Sequence, residues 1–188
     1  LLPLDANTEL SSLLINKKVA FDLDGFGTKT YSQWTSPLAA WLVIDQDKSG
    51  RIDSGLKLVG QSSFWVFWRN GYEVLNSLDD DRDGLVMGRE LDGLAVWHDI
   101  NLNGLSEKGE VEPLAHWSIV ALGTASRKHK TGIQFSKKGI RYSNGRWVPS
   151  YDVILHAVPS PAHVAPKKGD PKNLVLPTRS GASVLPGF

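Results

Sequence analysis

The segment LDDDRDGLVMGRELDGLAVWHDINLNGLSEKGE, Leu78 to Glu110, contains the same acidic pattern twice. Asp79, Asp81, Asp83, Gly84 and Glu90 occupy positions one, three, five, six and twelve of a twelve-residue cation loop, and Asp99, Asn101, Asn103, Gly104 and Glu110 repeat them. The spacing has a chemical reason. A hard divalent cation takes six to eight oxygens, a glycine at position six permits the sharp turn, and a glutamate at position twelve closes the shell with both oxygens. Leu85 and Leu105, at position seven, offer backbone carbonyls. Two complete matches 20 residues apart are not chance. The expected metal ligands are Asp79, Asp81, Asp83, Leu85 and Glu90 at one site and Asp99, Asn101, Asn103, Leu105 and Glu110 at the other, for two Ca2+ ions. Two Asn lower the charge of the second loop, which predicts weaker binding there at equal rigidity.

Two further starts of the pattern are incomplete. Asp45, Asp47, Ser49, Gly50 and Asp53 fit, but position twelve is Leu56 and the next residue is Lys57. The expectation is a turn held by internal ion pairing, with Asp45, Asp47 and Asp53 at most a third, weak or empty site. Asp22 and Asp24 begin a fourth copy that reads as a structural turn.

Around the loops, Tyr72, Leu75 and Leu78 fall at helical spacing, and Leu91, Leu94 and Ala95 read the same way. The eight residues between Glu90 and Asp99 would then form one helix joining the two loops. Beyond Glu112, short apolar runs at Ile119 to Leu122, Ile133 to Phe135, Gly139 to Tyr142, Arg146 to Val148 and Tyr151 to His156 predict a small antiparallel sheet, with Asn144-Gly145 as a hairpin turn. The expected fold class is therefore α+β: paired EF-hand-like calcium loops with short helices, a small antiparallel β-sheet, and an extended C-terminal tail. Residues 1–158 form the expected single domain and residues 159–188 a Pro/Lys-rich tail.

At 188 residues with 41% apolar and 22% charged, the chain has the composition of an ordinary folded domain. No apolar run reaches the length of a transmembrane helix. With 0 Cys there is no disulfide scaffold, thiolate catalysis or cysteine zinc site. A net charge of +1 conceals a division: residues 1–121 carry 18 Asp/Glu against 10 Lys/Arg, and residues 122–188 carry 11 Lys/Arg against 2 Asp. No nucleic-acid partner is expected from that balance.

Several blocks resemble the bacterial extracytoplasmic EF-hand-containing calcium-binding proteins, including the calcium-loop segments of secreted type I adhesins and toxins. They are FDLDG from Phe21, LVIDQDKSGRIDSG from Leu42, NGYEVLNSLDDDRDG from Asn70 and VWHDINLNGLSEKGE from Val96. YSQWTSPLAAWLV from Tyr31 and YDVIL from Tyr151 are similar to an uncharacterised Trp-rich group of that kind. The resemblance covers roughly residues 18 to 157 and implies calcium binding with no established activity. Lys57 stands where relatives often carry Glu or Gln.

The aromatic block Phe64, Trp65, Phe67 and Trp68 reads most simply as core filling, with a protein-binding patch and a sugar-stacking platform as alternatives. The five histidines lack metalloprotease spacing, no nucleophile elbow or phosphate loop occurs, and no catalytic residues are assigned. The expected role is a calcium-stabilised, non-catalytic scaffold or accessory subunit, periplasmic or secreted, that binds another protein or a membrane-associated complex without spanning the membrane. The tail 159–188 is expected to contact that partner. A carbohydrate or cell-surface binding module, or a calcium-dependent hydrolase, is the alternative.

Overall fold

The run Trp41-Leu42-Val43-Ile44 is apolar at every position, which suits a strand buried on both faces rather than one with a wet side. The computed structural model describes residues 1–158 apart from Ala6, and in it this run is the centre of the molecule. β4 (Ala39–Ile44) pairs antiparallel with β6 (Leu94–Trp97), with Ile44 opposite Leu94 and Trp41 opposite Trp97. β1 (Leu2–Pro3) adds to the free edge of β4 and β7 (Val111–Pro113) to that of β6.

Strand parity sends the side chains of this sheet to two separate cores. Ala40, Leu42, Ile44, Leu94 and Val96 enter one, with Val86, Leu122, Ile140 and Val148. Those last four come from a second sheet in the order β11-β10-β8-β5: β5 (Leu85–Met87), β8 (Ile119–Gly123), β10 (Gln134–Tyr142) and β11 (Trp147–Asp152), with β9 (Arg127–Lys128) also on β10. Trp41, Val43, Ala95 and Trp97 enter the other core with Val19, Phe21 and Trp34. Those belong to a third sheet of β2 (Leu14–Phe21), β3 (Thr30–Thr35) and β12 (Ala157–Val158). The central sheet thus lies between the other two.

The helix α1 (Gly71–Leu78) is capped by the Asn70 side chain, which accepts from the Tyr72 and Glu73 amides. It seats Tyr72 and Leu75 in the first core. The Tyr72 hydroxyl bonds the Ser150 carbonyl at 2.7 Å and accepts from the Ser136 amide at 2.9 Å, joining α1 to the β10–β11 hairpin. Burial pushes its phenol far above the ordinary tyrosine range.

The α+β expectation of paired EF-hand-like loops flanked by short helices is overturned: the described residues form three antiparallel sheets, and α1 is the one α-helix among them. The residues between Glu90 and Asp99 do not join the loops by a helix. A 3₁₀ turn at Gly88–Leu91 gives way at Gly93, whose φ is +84°, to β6. Leu94, Ala95, Val96 and Trp97 have cores on both sides, so burial favours a strand over the weak helical spacing. The predicted sheet beyond Glu112 is present, as part of a larger one. Its hairpin closes through Tyr142 and Arg146, with Gly145 at φ +81°. The tail 159–188 lies outside the described residues.

The loops at Asp79 and Asp99 sit in different surroundings. A Cβ at Gly104 would lie 2.4 Å from Val19 Cγ1, whereas one at Gly84 would meet nothing within 4 Å. Both glycines have positive φ, so an alanine is strained at either. We therefore expect Gly104→Ala to destabilise the protein by about 1–3 kcal/mol more than Gly84→Ala, the cost of overpacking. Urea denaturation of the two variants compares them directly, and equal losses would mean that the Gly104 loop is not packed on β2.

Candidate metal centre

The three loops with acidic spacing, and the Asp22 turn, share one backbone. Position four has positive φ in all of them: Gly25 (+79°), Lys48 (+53°), Arg82 (+60°) and Leu102 (+59°). Position six does too: Gly27 (+82°), Gly50 (+66°), Gly84 (+90°) and Gly104 (+69°). The aspartate at position one collects the position-six amide in every copy, Gly27 to Asp22 at 2.8 Å, Gly50 to Asp45 at 3.1 Å, Gly84 to Asp79 at 2.9 Å and Gly104 to Asp99 at 2.8 Å. Sequence spacing found these turns. It did not show that Lys48, Arg82 and Leu102 adopt a conformation that non-glycine residues rarely take.

The two complete loops are also closed in the same way. In the first, the Glu90 carboxylate accepts from the Asp80 amide at 2.8 Å and the Met87 amide at 2.9 Å. In the second, Glu110 accepts from the Ile100 amide at 3.2 Å and the Glu107 amide at 3.1 Å, the same two loop positions. Each position-twelve glutamate therefore spans its own loop. Asp79, Asp81 and Asp83 each place a carboxylate oxygen within 4.8 Å of the others, and only Asp79 is buried. Asn101 and Asn103 donate their side-chain amides to Glu107 at position nine, so positions three, five and nine converge in the second loop. Position nine of the first loop is the apolar Met87. The backbone roles of Leu85 and Leu105 rest on their position in the template.

The second loop is rooted in the aromatic core. Asp99 is 0% exposed, and its Oδ2 accepts the Trp34 indole N–H at 2.6 Å. Trp34 packs with Phe21, Trp41 and Trp97 at ring separations of 5.3 to 5.8 Å. The indole nitrogens of Trp41 and Trp97 are buried without a partner, so within this cluster only Trp34 reaches a loop. Glu110 is buried as well. No lysine or arginine among the described residues forms an ion pair with either complete loop. The nearest lysine contact among these residues is to the backbone, Lys17 Nζ donating to the Asn101 carbonyl at 3.3 Å, and buried Asp99 and Glu110 without such an ion pair, in a set of hard oxygen donors, fit a divalent metal.

The Asp45 loop has the backbone but not the closure. Asp45 accepts from the Ser49 and Gly50 amides, yet nothing acidic stands at position twelve. The Asp47 carboxyl is held below its usual range, chiefly by Ser49. The Ile52 amide donates to Ser106 Oγ at 2.8 Å, joining this loop to the one at Asp99.

The aromatic block divides differently from the simplest reading of its sequence. Trp34, Trp41 and Trp97 are core, but Phe67 is 94% exposed and Trp65 63% exposed, with Phe64 and Val66 also at the surface. The base of this loop is fixed: the Ser63 hydroxyl donates to the Leu58 carbonyl at 2.7 Å and the Trp68 indole to the Ser63 carbonyl at 2.9 Å. Phe64 and Trp65 both have positive φ, near +60°. Phe26, from the Asp22 turn, packs edge-on to Trp65 at 6.1 Å and extends the patch. Neither Phe26 nor the Trp34–Asp99 bond was found from the sequence, because both are contacts between distant segments.

No described helix is long and apolar enough to cross a membrane. Among known proteins, the chain is similar to the iron-regulated protein FrpA of Neisseria meningitidis serogroup C, with 31% identity over 110 residues. That match takes in 56% of this chain and 10% of FrpA, so the similarity spans about a tenth of the relative's length. A family model described as the SPM domain matches residues 1–155, nearly the whole of the described structure, and the chain belongs to the SPM domain family.

Proposed function

We propose that this SPM domain is a calcium-stabilised, non-catalytic module that works outside the cytoplasm and binds a partner through its exposed aromatic loop. One observation carries the calcium reading: two loops with the complete ligand spacing also close identically, through a glutamate that spans the same two amides. The proposed ligands are Asp79, Asp81, Asp83, Glu90 and the Leu85 carbonyl for one ion, and Asp99, Asn101, Asn103, Glu110 and the Leu105 carbonyl for the other.

Charge count favours the first loop, but rigidity favours the second. Its position-one carboxylate is already oriented by Trp34, and less order has to be created when an ion binds. Extracellular modules of this loop type hold calcium at submillimolar to millimolar dissociation constants, which an environment outside the cytoplasm keeps filled. In FrpA the matched stretch is a small part of a long chain, which supports reading the domain as one working part of a larger assembly. The partner surface is supported by the fixed, outward-pointing Trp65 and Phe67, since an exposed apolar cluster usually marks an interface. The tilt between Phe26 and Trp65, 69°, suits a protein pocket better than the flat platform a sugar ring stacks on.

Titrating calcium into chelated protein tests the reading. Each independent site should add about 2.7 kcal/mol of stability at free calcium 100 times its dissociation constant. No heat of binding and no change in Tm would refute it. Glu90→Gln and Glu110→Gln should each remove one ion from the count measured by native mass spectrometry.

The core link predicts a selective effect. Trp34→Phe keeps an aromatic ring but deprives Asp99 of its donor, and should cost about 1–3 kcal/mol of stability. It should weaken one of the two calcium sites and leave the other at its original affinity, as resolved by calorimetry.

A further inference from the structure

We infer that Lys57, whose ammonium takes up the position-seven carbonyl without an ion pair to Asp45, Asp47 or Asp53, lets this third loop keep the calcium-loop shape with no metal. The inference rests on reading the other two loops as calcium sites, and it concerns the residues by which the Asp45 copy departs from them. A complete loop needs a carbonyl at position seven, an oxygen or water at position nine and an acid at position twelve to surround the ion. All three are diverted here. The position-seven carbonyl, of Arg51, accepts from Lys57 Nζ at 2.5 Å. The position-nine carboxylate, Asp53, pairs with the Arg51 guanidinium at 3.4 Å. The position-twelve side chain, Leu56, packs onto the Asp22 turn, so closely that a Cβ on Gly25 would lie 2.5 Å from Leu56 Cγ.

The other half of the loop is intact. Asp45 gathers the Ser49 and Gly50 amides, and Lys48 and Gly50 keep the positive φ values of the complete copies. Among the described residues, no lysine donates to the equivalent carbonyls of Leu85 or Leu105. An ammonium delivers one positive charge and three donors on a tether, so its occupancy does not depend on solution calcium. The consequence is a division of labour. The Ile52 amide, inside the Asp45 loop, donates to Ser106 of the Asp99 loop at 2.8 Å, and a turn that never empties gives the neighbouring loop a permanent foothold.

Amide hydrogen exchange of the full chain tests this, with calcium itself as the probe. In the native protein, Ser49 and Gly50 should be equally protected in chelator and in millimolar calcium, while native mass spectrometry counts two ions. Lys57→Gln should speed exchange at Ser49 and Gly50 in chelator by about tenfold, and Lys57→Arg, which keeps a cation, should speed it far less. A third ion in the native protein, a calcium-dependent change at Ser49 and Gly50, or unaltered protection in Lys57→Gln would overturn the inference. If Lys57→Gln does not fold, the native protein decides alone, by its ion count and by whether Ser49 and Gly50 respond. Gly84 and Gly104 keep the two readings separate: if their amides ignore calcium the calcium reading fails, while Ser49 and Gly50 still judge Lys57.

Discussion

The hydrogen bond from the Trp34 indole to the Asp99 carboxylate is where two incompatible demands of this chain meet. A cluster of Trp34, Trp41, Trp97 and Phe21 excludes water, and a carboxylate within its reach is costly unless its oxygens are occupied. Asp99 meets that cost locally, with donors from Trp34, Asn103 and Gly104. Because β6 ends at Trp97 and the loop starts two residues later, the same few atoms set the edge of the core and the first ligand position. The polar loop is therefore an extension of the packed interior, whereas the Asp79 loop stands at the surface with Asp81 and Asp83 in solvent.

What the sequence revealed depended on how local the responsible physics was. The loops were legible because Asp, Gly and Glu at fixed offsets are demanded by a turn that is complete within twelve residues. α1 was legible from Tyr72, Leu75 and Leu78, and the β10–β11 hairpin from Asn144-Gly145, for the same reason. Leu94 to Trp97 misled because periodicity cannot separate a short helix from a strand enclosed on both faces. The deciding contacts, with β4 about fifty residues earlier and with two other sheets, are not local. Phe64 to Phe67 misled in the opposite direction. Large apolar residues in a row suggest a core, but positive φ at Phe64 and Trp65 turns the segment outward, and nothing in the residue types announces it.

Likeness of loops is not likeness of fold. The template at Asp79 and Asp99 is the one used between helices in EF hands, yet here the Asp79 loop contains β5 at its positions seven to nine and the Asp99 loop leads into β7 of a different sheet. A cation loop needs only an entering backbone direction and a closing glutamate, and the 3₁₀ turn Gly88–Leu91 or β7 supplies the exit as well as an α-helix would. The four copies have diverged by what their side chains do. Asp22 anchors a turn that carries Phe26, Asp45 has a lysine at its seventh carbonyl, and the other two keep the closing glutamate.

The order of pairing along the chain has a consequence for biosynthesis. β4 leaves its neighbour β6 to be made about fifty residues later, β5 waits for β8, and β3 is flanked at last by β12, with Ser32 opposite Ala157. In a nascent chain the strands of each sheet arrive in their pairing order but interleaved with those of the other two, so no layer is finished before Pro113 is made and the outer two wait for Asp152 and Val158. Trp34 and Trp41 must wait in water until Trp97 arrives, and the third sheet stays open on one side until Ala157 and Val158 are out. Closure is thus a late, concerted event that rewards a fully delivered chain and leaves a partial one sticky.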